Sequence, residues 1–123
     1  MNDLPDQLPV WCPGERWCPV TATARLLDKR WHLVIVHRLL AEGPLGFNAL
    51  EAAVDGISSK VLSDSLDDLE AKSLVDRTVV SEKPFRVEYS LTPLGASLEP
   101  VVASLFDWGE AHLRPADPDS SLA

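Results

Sequence analysis

The chain has 123 residues, 46% of them hydrophobic, which is enough for one core of ordinary size and too few for two comfortable domains. Its formal net charge of −8, from 19 acidic against 11 basic residues, runs counter to a nucleic-acid partner, which needs local positive potential, although net charge reports on solubility and association and not on fold. Two cysteines, Cys12 and Cys18, are too few for a disulfide framework and lack a zinc-site spacing. His32, His37 and His112 do not converge in sequence with a carboxylate or cysteine pair, so neither a metal, another cofactor nor an enzyme is expected.

The first residues carry Pro5, Pro9, Pro13 and Pro19 and no apolar run behind a basic start, so no signal peptide is read there. The longest plain aliphatic run, Leu33 to Val36, is far short of a membrane span, and a soluble, cytoplasmic protein with no membrane partner is expected. Residues 1–17 are taken as an extended N-terminal arm, 18–113 as the folded domain and 114–123 as a disordered tail.

In chain order, Thr21 to Leu27 forms a first short helix. A second runs from about Lys29 to Ala41, where Trp31, Val34, Ile35, Val36, Leu39 and Leu40 leave little polar face and mark it as central; Gly43-Pro44 ends it. A third spans Phe47 to Val54, followed by the turn Asp55-Gly56. The fourth covers ISSKVLSDSLDDLEAKSLV at 57–75, with Leu62, Leu66 and Leu69 at helical spacing. Ser58 is its N-cap, and Ile57 and Leu62 stand at the two positions of a hydrophobic staple. Steps of about 100 degrees put Leu66, Leu69 and Ser58 near the core line and turn Lys60, Ser63, Asp64 and Asp67 outward. Two helices joined by a short glycine turn are a helix-turn-helix, with the fourth helix as the reading helix.

After Leu74 the period shortens to about two. DRTVVS at 76–81 and RVEYSL at 86–91 read as strands joined by a longer turn, Glu82-Lys83-Pro84-Phe85, which makes a two-stranded wing. Thr92 then caps, and Pro93 opens, one long C-terminal helix, which Pro100 should kink. Along it Leu94, Leu98, Val101, Leu105, Trp108 and His112 fall at alternating spacings of four and three, a heptad-like seam suited to dimerisation. The fold class is therefore mainly α, of the α+β kind: a winged helix-turn-helix with a two-stranded wing and a long C-terminal dimerisation helix.

Six stretches in this order resemble the HxlR-type winged-helix transcription regulators: CPV at 18–20, KRW at 29–31, FNAL at 47–50, GISSKVLSDSLDDLE at 56–70, RVEYSLTPLG at 86–95 and DWGEAHL at 107–113. The resemblance spans residues 18–113. It implies a homodimer held by its terminal helices on a partly palindromic double-stranded DNA operator, with one reading helix per half-site. Ser58, Ser59, Lys60, Ser63 and Asp64 are then candidate DNA contacts on the reading helix. Arg30, Arg77, Lys83 and Arg86 are candidate phosphate contacts, and Leu98, Val101, Leu105, Trp108 and His112 line the dimer seam.

Some members of that family sense oxidants or electrophiles through a cysteine at the position of Cys18. Cys12 stands close enough in sequence to act as its resolving partner. A buried structural cysteine is the alternative reading of Cys18, as a solvated face is for the reading-helix residues. The chain also departs from the family pattern. Asp64, Ser65 and Asp67 stand where the family commonly has glutamine, arginine and another basic residue, and Gly46 stands where a basic residue is common. Residues 58–73 hold Lys60 and Lys72 against Asp64, Asp67, Asp68 and Glu70, a local charge of about −2. A dimer that has lost DNA affinity and works as a protein-interaction module is the rival reading. Trp11, Trp17, Trp31 and Trp108 are read as core and interface anchors. No effector is legible.

Overall fold

The computed structural model describes residues 18–115; the expected arm with Trp11, Cys12 and Trp17, and most of the expected tail, lie outside the described residues. Helices α1 (Pro19–Leu26) and α2 (Arg30–Glu42) are followed by a two-residue strand β1 (Leu45–Gly46), then α3 (Phe47–Ala53) and α4 (Ser59–Ala71). The hairpin β2 (Val75–Glu82) and β3 (Phe85–Leu91) leads to α5 (Pro93–Ala96) and α6 (Glu99–His112).

Two helical faces build the core, and they share one spacing. On α2 the buried residues are His32, Ile35, Val36 and Leu39; on α4 they are Leu62, Ser65, Leu66 and Leu69. Both follow the i, i+3, i+4, i+7 rule of a helix with one buried stripe. Leu50 of α3 and Val54 at its C-cap, Leu74 and Val75 at the entry to the hairpin, and Leu98 and Val102 around the start of α6 close the cluster. Trp31, Val34 and Leu40 are only partly buried against it, so α2 is amphipathic and not apolar all round.

The expected reading helix forms with its predicted start. The Ser58 side chain accepts a hydrogen bond from the Val61 N–H at 3.1 Å, and Ile57 and Leu62 are both buried as a staple requires. Ser58 itself is exposed, because a capping residue lies before the first helical turn and does not follow its 100-degree steps. Gly56, with φ of 88°, supplies the left-handed backbone that turns α3 into α4.

At its far end α4 stops in a Schellman arrangement. Leu74 N–H bonds to Leu69 O and Ser73 N–H to Glu70 O, with Ser73 at φ of 61°.

The wing differs from expectation in three respects. Leu45↔Tyr89 and Gly46↔Glu88 add β1 to the free edge of β3, so the sheet has three antiparallel strands in the order β1-β3-β2. The hairpin connection is only Lys83-Pro84, since Glu82 already pairs with Phe85. The register also shifts between Val79 and Ser81, and β2 is exposed at nearly every position after Val75, so it lacks the in-and-out alternation of a half-buried strand.

The C-terminal region is two helices and not one kinked helix. Thr92 does cap, accepting from Gly95 N–H at 3.0 Å, and Pro93 does open a helix, but that helix ends at Ala96. Continuing through Pro100 would need an N–H for the Ala96 carbonyl, which proline lacks, and would drive its ring into that carbonyl. The chain breaks at Ser97-Leu98 and restarts with Pro100 in the first turn of α6, where no N–H is needed.

Candidate nucleic-acid interface

α4 turns Leu62, Ser65, Leu66 and Leu69 into the core, which leaves the rest of its surface facing outward. Ser59, Lys60, Ser63, Asp64 and Asp67 are all exposed. Their partners decide what that face can do. Ser59, at the first position of α4, donates its hydroxyl hydrogen to a Glu51 carboxylate on α3. Lys60 pairs with Asp64 one turn on, at 3.1 Å, with both side chains mostly in solvent. Such an exposed i, i+4 pair contributes only about 0.3 to 0.5 kcal/mol and yields easily to a competing anion.

At the other end of α4, Asp68 receives Lys29 at 3.0 Å from the N-cap of α2. That hydrogen bond and charge hold the Asp68 carboxyl below the usual carboxylate range, and the same contact raises Lys29. Arg30, next in sequence, lies over the Trp31 ring with its guanidinium carbon 4.1 Å from the centroid, a cation–π contact that fixes it at the start of α2. Arg77 on β2, Lys83 in the hairpin turn and Arg86 on β3 are exposed. Arg86 also lines a cleft of about 580 Å³ between α3 and the hairpin, with Phe47, Asn48, Phe85 and Tyr89.

Glu51, Lys29 and Asp68 are not among the contact residues expected from the sequence. Lys60–Asp64 could have been read from its four-residue spacing, whereas Ser59–Glu51 and Lys29–Asp68 join separate helices and leave no local signal.

A family model described as HxlR-like helix-turn-helix matches residues 26–117. The chain belongs to the HxlR-like helix-turn-helix family. It is 35% identical over 105 residues to the HTH-type transcriptional regulator YodB of Bacillus subtilis (strain 168), covering 85% of this chain and 93% of that one. It is 40% identical over 91 residues to the uncharacterized HTH-type transcriptional regulator YvaP of the same organism, covering 74% and 83%. Among solved structures, reduced YodB from B. subtilis matches with a TM-score of 0.67 at 35% identity over 83% of this chain and all of that one. The redox regulator HypR in its oxidized form matches with a TM-score of 0.72 at 33% identity over 80% of this chain and all of that one.

In this HxlR-like chain Cys18 is the half-buried N-cap of α1. Its sulfur makes no capping hydrogen bond of full geometry, yet the Thr21 hydroxyl, and after it the backbone N–H groups of Thr21 and Val20, lower the thiol pKa.

Of the expected seam, Leu98 is buried in the core of its own chain and is unavailable to a second copy. Val101, Leu105 and Trp108 are 38%, 50% and 58% exposed on α6, an apolar stripe on the described single chain. His112 stacks on Trp108, with ring centroids 4.8 Å apart, and its Nδ1 lies 3.0 Å from the Trp108 carbonyl oxygen. Among the described residues no three His, Cys, Asp or Glu side chains are placed to hold a metal ion, and no helix is long and apolar enough to cross a membrane.

Proposed function

We propose that the chain is a transcription regulator, not an enzyme, that binds operator DNA as a homodimer, laying α4 of each protomer in the major groove of one half of a palindromic site. The observation that carries this reading is the outer face of α4: it is capped by Ser58, held by three buried leucines, and presents Ser59, Lys60, Ser63 and Asp64 in a chain of HxlR-like type whose hairpin exposes Arg77, Lys83 and Arg86. Serine hydroxyls serve several bases, Lys60 serves guanine or phosphate, and Asp64 accepts from a cytosine amine once Lys60 leaves it. Arg30, Arg77, Lys83 and Arg86 supply phosphate contacts. The exposed stripe Val101, Leu105 and Trp108, with His112, is the surface that a second copy covers.

Regulation runs through Cys18, with Cys12 as the candidate resolving thiol. The support is the lowered thiol pKa, and the existence of relatives such as the redox regulator HypR and of YodB structures in reduced, diamide-treated and quinone-bound forms. Footprinting on a duplex chosen from a random pool tests the dimer reading. Two protected half-sites about 10 base pairs apart, or a multiple of that, are expected, and a single unpaired footprint contradicts it.

A second reading, a protein-interaction module, is favoured by one observation. Lys60 and Lys29 both already hold aspartates of α4, so that helix presents no unpaired lysine at its outer face. A partner recognised by Glu51, Asp64 and Asp67 would be basic.

A further inference from the structure

The buried stripe of α2 contains one residue that can titrate near neutrality. His32 is fully buried and its Nε2 has no hydrogen-bond partner. Its Nδ1 lies 3.2 Å from Nζ of Lys72, the C-cap of α4. An ammonium has only hydrogens to give, so Nδ1 is the acceptor and the proton of the neutral ring sits on Nε2, which faces Asp68 Oδ2 at 3.7 Å. The same Nζ donates to the Leu26 carbonyl at 2.9 Å and to Asp28 Oδ1 at 3.3 Å, with the Arg25 carbonyl at the limit of reach at 3.5 Å, so its three hydrogens are shared among His32 and the end of α1 with its link to α2. Leu26 ends α1 and Asp28 lies in the link to α2. One mostly buried lysine head therefore joins the C-terminal ends of α1 and α4 through a ring on α2.

We infer that His32 and Lys72 form a proton-operated latch between α1 and α4, closed by the neutral ring and opened when a proton from solvent binds Nδ1. Because Nε2 already carries hydrogen, the incoming proton has only Nδ1 to bind, and the resulting N–H points at the Lys72 ammonium. The lysine loses an acceptor and meets a like charge, so it leaves for water and releases the Leu26 carbonyl. The charged groups facing the ring are Lys72 and Asp68 from α4, Lys29 from the N-cap of α2 and Asp28 from the preceding link. Burial, then Lys72, hold His32 below the ordinary histidine range, and Asp68 pulls it partly back.

With the folded value below the unfolded one of about 6.5, the unfolded chain binds more protons between the two. The latch is therefore fully closed above about pH 6.5 and weakens as pH falls toward the folded value. The first segment released is α1, an eight-residue helix with only Ala22 and Leu26 buried and with Cys18 as its N-cap.

Heteronuclear NMR on the whole chain tests this without DNA. The His32 ring should report the Nε2–H tautomer above pH 7. Amide protection in α1, corrected for intrinsic exchange, should fall at least tenfold over the pH range in which that ring titrates, while Leu66 and Leu69 of α4 stay protected. Lys72→Met should leave α1 poorly protected at every pH, and His32→Asn, which keeps a neutral acceptor, should leave it protected and insensitive to pH. An Nδ1–H tautomer, α1 amides unprotected above pH 7, or α1 protection that persists while the ring titrates would overturn the latch. So would protection lost only together with Leu66 and Leu69, or an unchanged pH response in His32→Asn. If His32→Asn does not fold, the tautomer and the Lys72→Met comparison decide.

Discussion

Ser59 and Glu51 are tied by a hydrogen bond from hydroxyl to carboxylate, so the first residue of α4 is anchored to α3 across the turn. The pairing puts a negative charge at the positive end of the α4 dipole, where a DNA phosphate would otherwise be drawn. Glu51→Gln keeps a hydrogen-bond acceptor and removes the charge. Its two effects should have opposite signs: stability falls by about 0.3 to 1 kcal/mol in denaturant melts, and affinity for duplex DNA rises severalfold by fluorescence anisotropy. Affinity that falls with Glu51→Gln would instead show that the carboxylate holds Ser59 for base contact.

Backbone conformation gives a pair of stability predictions. Ser73 adopts a left-handed φ of 61° at the end of α4, and glycine there should raise stability by about 1 kcal/mol, a gain in melting temperature of several degrees. Gly95 is the reverse case. A Cβ there would run into the backbone carbonyl oxygen of Leu74, so Gly95→Ala should cost about 1 to 3 kcal/mol or more by forcing α5 off the hairpin. Equal melting of both variants and wild type would refute the account of these turns.

For the α6 stripe, Trp108 is the residue to truncate, since it is 58% exposed in the single chain and its loss leaves the core intact. If a second copy covers it, Trp108→Ala should raise the dimer dissociation constant roughly 30-fold or more while the monomer stays folded, as an interface anchor behaves. Sedimentation equilibrium reads this directly, and an unchanged dimer would remove α6 from the interface.

The lowered Cys18 thiol is attributed first to the Thr21 hydroxyl. In a Cys12→Ser background, the pH at which alkylation is half-maximal should lie below that of the same cysteine in the unfolded chain, and Thr21→Val should move it upward. A Thr21→Val variant that titrates like its parent would show that the hydroxyl does not stabilise the thiolate. Diamide should weaken DNA binding by wild type and leave Cys18→Ser unaffected.

Much of this architecture was legible because the signals were local. Leu62, Leu66 and Leu69 announced the buried stripe of α4, and Ser58 with Ile57 announced its start. The polar members of the two stripes, Ser65 and His32, leave no mark in the apolar periodicity, because burial there depends on neighbours far along the chain. Pro100 carried the right warning in the wrong form: a proline at that position favours a restart as readily as a kink, and the Thr92-Pro93 cap was strong enough to make α5 a helix of its own. Strand β1 has two residues, too few for any period to register. Leu98 fits a heptad seam by spacing, but a seven-residue repeat cannot tell a face that packs inside its own chain from one that packs on another.

On the proposed function, α4 reads a DNA sequence despite its acidic face. Selection from a random duplex pool at salt concentrations from about 0.1 to 3 M, run with wild type and with Asp67→Lys, tests it most directly. Because Lys60 and Lys29 are already paired with aspartates, wild type should enrich a palindromic site with a shallow log-log salt slope. Asp67→Lys should bind all sequences more tightly and steepen that slope by about one unit, as one added phosphate contact does. If neither protein enriches any sequence at any salt concentration, α4 does not read DNA and the interaction-module reading takes its place.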